Sequence, residues 1–196
     1  MSDRAAVFID GGYFDKVCES LGRLRPDYER FSEKVCRQTE RLRTYYYHCY
    51  PYQGSPPTSE ERSRHASMDR FAHSLRMLRR FEVRLGRMQV VDGTYRQKGI
   101  DTLLSIDLVE LASTGQIGKA VLVTGDSDFV PAVGRAKDKG VIVDLFYGST
   151  THVHADLLEV CDDRVPLTRP SFDDCLRPER ARPPRNLDVA TANRRA

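Results

Sequence analysis

Apolar residues fall into short unbroken runs separated by longer amphipathic stretches, a pattern that predicts buried strands alternating with helices. AAVFID at 5–10, AVLVTG at 120–125 and VIVDLF at 141–146 are apolar on both sides of the pleat, as strands covered on two faces must be. After the first run come Gly11 and Gly12, which read as a phosphate-sized turn. Helical spacing appears at 101–113 and at 129–139, where Gly140 stops it; 153–161 adds a helix and 165–167 a short edge strand. Earlier in the chain, Phe31, Val35 and Leu42 give 27–43 a helical reading, followed by the aromatic strand TYYYHCY at 44–50. The proline-rich loop after it closes at Thr58 or Ser59, with Glu61 or Arg62 beyond, and predicts a helix to about Arg80 with Met68, Phe71, Leu75 and Leu78 on one stripe. FEVRLGRMQVV at 81–91 alternates as a strand interrupted at Gly86. Together these elements predict an α/β fold of three layers, α/β/α, with a mainly parallel, Rossmann-like central sheet.

The length of 196 residues suits one domain and little more. No run approaches the roughly 18 apolar residues of a spanning helix, and MSDRAA leads straight into the first strand, so a cytoplasmic protein without a membrane partner is expected. The five cysteines are scattered without a CxxC pair, which argues against a disulfide framework or a zinc knuckle. Charge is segregated. Residues 60–98 carry ten basic and five acidic side chains, whereas 99–176 carry six and thirteen. After Leu176 the chain is rich in proline and arginine and poor in apolar residues; a domain over 1–170 and a basic, flexible tail over 171–196 are expected.

The acidic block changes the picture. In open α/β sheets ligands sit beyond the carboxyl ends of the strands. Asp10 and Asp126 end two strands there, Asp128 follows two residues later, and Asp101 opens the next predicted helix. Asp107 lies on the stripe of that helix expected to face the sheet, near Leu103, Leu104 and Leu111. Capping of a helix explains Asp101 or Asp128 singly. A buried carboxylate, however, is costly unless it is paired or bound to a cation. No histidine or cysteine is interspersed, so the shared cation should be hard, Mg2+ or Mn2+ rather than zinc. Asp101 and Asp107 are about 120° apart around an ideal helix and roughly 9 Å apart along it, which assigns Asp101 to the inner coordination and Asp107 to a more remote role or a second ion. Metal-held water can attack a phosphodiester in line.

VFIDGGYF (7–14), KGIDTLLSIDLVELA (98–112) and VLVTGDSDFVPAVGRAKDKGVIVDLF (121–146) resemble the signature blocks of NYN domains, specifically the LabA-like group of the PIN-like nuclease fold. The resemblance covers 5 to about 167, and its most specific parts are GDSDF at 125–129 and KGID at 98–101. It implies a PIN-like topology and a divalent-metal-dependent ribonuclease, endonucleolytic, acting on single-stranded or structured RNA. By motif, Asp10, Asp101, Asp126 and Asp128 become the catalytic and metal-holding residues, with Asp107 added to the metal set. Where many NYN sequences carry asparagine after the first aspartate, this chain has Gly12 and Tyr13. The rival readings are a DNA or flap nuclease, a phosphate-cleaving enzyme for small nucleotides, and a non-catalytic RNA-binding adaptor.

Around these acids, Lys98 could meet a substrate phosphate, as could Ser127 and Thr124, although capping explains Ser127 equally well. Tyr13 could stack on a base, whereas Phe14 reads as core. His152 and His154 read as surface or capping residues. The basic helix, with Arg70, Arg76, Arg79 and Arg80, is the expected track for an RNA backbone. The oligomeric state is left open, a homo-oligomer included.

Overall fold

The computed structural model describes residues 2–91 and 94–178. The elements are β1 (Arg4–Asp10), α1 (Gly11–Ser20), α2 (Tyr28–Cys36), β2 (Glu40–Tyr50), α3 (Ser59–Arg76), β3 (Phe81–Val91), β4 (Thr94–Lys98), α4 (Ile100–Ser113), β5 (Lys119–Val123), a 3-10 turn (Ser127–Phe129), α5 (Val130–Asp138), β6 (Ile142–Gly148), α6 (Ala155–Val160), β7 (Asp163–Leu167) and a second 3-10 turn (Arg169–Phe172). One sheet orders them β4-β3-β2-β1-β5-β6-β7. Its six main strands are parallel and β4 joins antiparallel at the edge.

Helices cover both faces, as the unbroken apolar strands require. On one face Phe14 and Val17 of α1, Phe31 of α2 and Leu75 of α3 pack with Val7, Ile9 and Tyr46. On the other, Leu104 and Leu108 of α4, Val133 of α5 and Leu157 of α6 pack with Phe8, Tyr47 and Leu122. Each such side chain, fully buried, contributes about 1.5–3 kcal/mol. Among the described residues no helix is long and apolar enough to cross a membrane, and all five cysteines are buried and unbridged.

Several boundaries differ from the expectation. No turn separates β1 from α1; the helix begins at Gly11, directly after Asp10. A Cβ at Gly11 would lie 2.5 Å from the Tyr46 ring and 2.7 Å from His48 Cδ2, so glycine serves close packing there. The predicted helix over 27–43 ends at Cys36, Arg37 adopts a positive φ of 56°, and 40–43 join β2. This is possible because the wholly buried Arg41 side chain has partners: Glu33 at 2.7 Å, Thr44 Oγ1, and the carbonyls of Arg79 and Arg80. The same clamp, with Arg80 at φ 62°, ends α3 at Arg76 rather than Arg80. β3 continues through Gly86, and β4 has no counterpart in the sequence reading. The start of α3 is as predicted: Thr58 and Glu61 form a capping box. The packed chain also passes the expected boundary at 170, since Phe172 and Cys175 are buried in the core and Pro26 bridges Leu176. The remainder of the expected tail, 179–196, lies outside the described residues.

Candidate functional site

Topology brings the predicted acids to one rim. β1 and β5 are adjacent parallel strands, so Asp10 and the Thr124–Asp126 segment emerge side by side at their carboxyl ends. β4 ends at Lys98 level with Arg87 of β3, itself level with Tyr50 at the end of β2. The left-handed Gly99 (φ 88°) then turns the chain into α4, whose first turn carries Asp101. Only glycine takes that conformation without strain.

Asp10 is held at both oxygens. Oδ1 accepts from the Tyr13 amide at 3.1 Å, capping α1, and Oδ2 accepts from Thr124 Oγ1 at 3.2 Å. Thr124 Oγ1 in turn accepts from the Asp126 amide at 3.4 Å, so one buried hydroxyl links the two acidic strand ends. Asp126 caps the 3-10 turn by accepting from the Asp128 amide at 3.0 Å, the role that sequence reasoning gave to Ser127. Asp101 is no cap: Gly99 occupies that position, and neither Asp101 nor Asp128 accepts a side-chain hydrogen bond from the described residues.

The acids at this rim act on one another's titration. Burial, with the negative charge of Asp126 beside it, holds the Asp10 carboxyl above its ordinary value despite the two hydrogen bonds. Burial raises Asp101 likewise, and the charges of Asp126, Asp10 and Asp128 add to it. Among the described residues no Lys or Arg forms an ion pair with any of these four acids. No three acid, His or Cys side chains among the described residues gather closely enough to ligate one ion together. Carboxylate oxygens without a cationic partner are the donor chemistry that suits a hard cation such as Mg2+, which would take one or two of them directly.

Asp107 differs from the other four acids in being compensated within the fold. Its Oδ2 accepts from Tyr47 Oη at 2.8 Å and from Arg84 Nε at 3.3 Å, the charge partner that the other acids lack. Tyr13 is corrected: its ring is in the core and its hydroxyl accepts from the Gly148 amide at 3.1 Å, leaving no face for a base. Ser127 is half-buried beside the acids. The Lys98 side chain lies outside the described part of the structure.

The basic helix faces the wrong way for its predicted role. Arg76 ends α3, and Arg79 and Arg80 precede β3, at the amino end of the sheet. Their carbonyls bind Arg41, which is level with Ala5, five residues below Asp10 and roughly 17 Å away at 3.3 Å per residue. Arg80 is also tied to Glu40 at 2.9 Å. Of the four arginines only Arg70 lies higher on the helix.

Sequence reasoning missed His48, one strand over from Asp10. Its Nε2 lies 3.3 Å from Asp15 Oδ2 and its Nδ1 2.8 Å from the Cys49 amide. Burial draws the imidazole down, but the Asp15 hydrogen bond and charge outweigh it and leave the group raised. The His154 amide donates to Gly125 O at 3.0 Å, and the His152 and His154 rings meet edge to face at 5.7 Å. From Asp128 an open groove of about 520 Å3 runs between α4 and α5, past Thr102, Ser105, Ile106 and Pro131.

A family model for the NYN domain matches residues 4–168, spanning the sheet and every acid of the rim. The chain belongs to the NYN domain family. NYN domains are a PIN-like nuclease family, and the sheet with its two helical layers is the architecture of that fold. An uncharacterized protein, y4oD, of Sinorhizobium fredii (strain NBRC 101917 / NGR234) is 41% identical over 59 residues, 30% of this chain; the match spans 28% of that protein's length. The crystal structure of a protein of unknown function, VPA0982, from Vibrio parahaemolyticus RIMD 2210633 superposes with a TM-score of 0.59 at 21% identity, covering 89% of this NYN chain and 96% of its own. That likeness concerns the fold.

Proposed function

We propose that this NYN domain is a divalent-metal-dependent ribonuclease, endonucleolytic and of the LabA-like kind, that hydrolyses RNA with water activated at the rim. The observation that carries the reading is that Asp10, Asp101, Asp126 and Asp128, from three separate segments, reach one rim of the sheet with no cationic side chain paired to them among the described residues. Bound Mg2+ or Mn2+ supplies a lowered water pKa and neutralisation of phosphate charge.

The chain's own groups perform the rest. Thr124 and the Tyr13 amide fix the Asp10 carboxylate in one rotamer. Capping of the 3-10 turn by Asp126 sets the direction from which Asp128 enters the site. The Asp101 side chain, without a hydrogen bond among the described residues, would be one of the groups holding the cation. Such a cluster repels a bare polyanion, so substrate engagement and metal loading are expected to be coupled.

The deciding experiment incubates the full chain with labelled RNA and DNA in Mn2+, Mg2+ or EDTA, beside Asp126→Asn. Cleavage of RNA that vanishes in EDTA and in the variant supports the reading. Cleavage that survives both removes it, preferential DNA cleavage makes the protein a DNA nuclease, and binding without cleavage makes it an adaptor.

A further inference from the structure

β2 ends at Tyr50, three residues beyond Tyr47, the partner of Asp10. At about 3.3 Å per residue this is roughly 10 Å past the acids, at the same end of the sheet. Pro51 follows, and the chain loops to Thr58, the cap of α3. Between this loop and the middle of α3 lies an open cleft of about 380 Å3, lined by Pro51, Ser63, Arg64, Ser67, Met68 and Phe71. The Pro51, Met68 and Phe71 walls are apolar. Exposed Arg64 stands in the lining, loosely paired to Glu60 at 3.9 Å. Arg70 Nη2 donates to Ser67 Oγ at 3.0 Å, which places a second guanidinium beside the cleft. The segment is braced alongside: Tyr50 stacks on His65 at 4.4 Å and 8°, and its hydroxyl donates to Asp69 at 2.9 Å.

We propose that this cleft binds one nucleotide of a single-stranded polynucleotide leading away from the acidic rim, with the base against Pro51, Met68 and Phe71 and a phosphate on Arg64 and Arg70. The proposal rests on the nuclease reading and names the part of the surface that holds the strand. Apolar walls flanked by guanidinium groups are the combination that grips single strands with little sequence preference. The volume lies in the range of small-ligand sites. The only uncharged polar side chains in the lining are two serines, which offer little to read a base edge. The acids themselves cannot hold a phosphate backbone without a cation, so in chelator the strand is held by basic groups alone, and the Arg64 and Arg70 variants single out the cleft among them.

The test uses the full chain carrying Asp126→Asn, in EDTA, with fluorescein-labelled oligo(rU) and oligo(dT) followed by anisotropy. Arg64→Glu combined with Arg70→Glu should weaken binding at least about tenfold and flatten its salt dependence. Met68→Ala should weaken it with the salt slope unchanged. Arg76→Glu combined with Arg79→Glu, at the opposite rim, should change it less than about twofold. Binding indifferent to Arg64 and Arg70 overturns the proposal, as does tighter binding of uridine monophosphate than of the oligonucleotides, which makes the cleft a mononucleotide site. The two readings separate cleanly. Strand binding that depends on Arg64, with no metal-dependent hydrolysis by the wild type, removes the nuclease and keeps the cleft; hydrolysis with binding indifferent to Arg64 and Arg70 does the reverse.

Discussion

Tyr47 Oη donates to Asp107 Oδ2 at 2.8 Å, and the same oxygen receives Arg84 Nε at 3.3 Å. β2 and β3 thus supply a donor and a positive charge to the one acid of α4 that faces the sheet. Asp101, six residues earlier on the same helix, has neither among the described residues. Asp107→Asn is therefore expected to keep Mn2+ affinity within about twofold of wild type by titration calorimetry, while costing about 1–2 kcal/mol in urea unfolding through the weakened link to Arg84. Asp126→Asn should weaken Mn2+ by more than about tenfold. Equal losses in the two variants would return Asp107 to the site.

Asp10 and Asp101 give the pH dependence its sign. Both carboxyls are raised above 3.8, by burial first and by neighbouring acids next. The folded chain then binds protons more tightly than the unfolded chain, so their contribution to stability falls as pH rises from 3.8 through the raised values and remains unfavourable at neutral pH. In chelator at pH 7, Asp101→Asn should raise Tm by about 1–3 °C, and Mn2+ should raise Tm of the wild type more than that of the variant. A fall in metal-free Tm on substitution would show that the acids are not in mutual repulsion.

Gly125 sits where the acidic turn meets α1 and the loop before α6. A Cβ there would lie 2.4 Å from the Tyr13 ring and 2.5 Å from His152 O. Gly125→Ala must shift one of them, at about 1–3 kcal/mol, and it carries Asp126 along. Differential scanning calorimetry should register the loss, and any hydrolysis should fall at least about tenfold at temperatures where the variant remains folded.

Arg41 tests the other end of the sheet. Its wholly buried guanidinium joins Glu33, Thr44 and the carbonyls of Arg79 and Arg80. Arg41→Met removes a charge whose partners stay behind and should cost about 3 kcal/mol in urea unfolding. Because the clamp lies far from the acidic rim, Mn2+ affinity of the folded variant should be unchanged.

Apolar patterning alone set the layers and the rim at which Asp10 and Asp126 emerge. Runs apolar on both sides of the pleat can be satisfied only beneath two helical layers, and acids at the ends of such runs must emerge at one rim of a parallel sheet. Local signals also placed the start of α3, since Thr58 and Glu61 satisfy each other within one turn. Tertiary structure decided the rest. Leu42 fits a helical stripe, yet Arg41 finds its partners on α2 and before β3, and 40–43 become strand. The arginines of α3 form a basic run in sequence, but a helix of 18 residues spans about 27 Å, so its two ends lie at opposite rims and only its amino-terminal half shares the rim of the acids. Asp107 counts among the metal-holding acids in the sequence because periodicity assigns a face, not a partner; its partners, Tyr47 and Arg84, lie 60 and 23 residues away along the chain. Hydrophobic pattern is a local property read residue by residue, whereas charge compensation is settled by whatever the folded chain brings within a few ångströms.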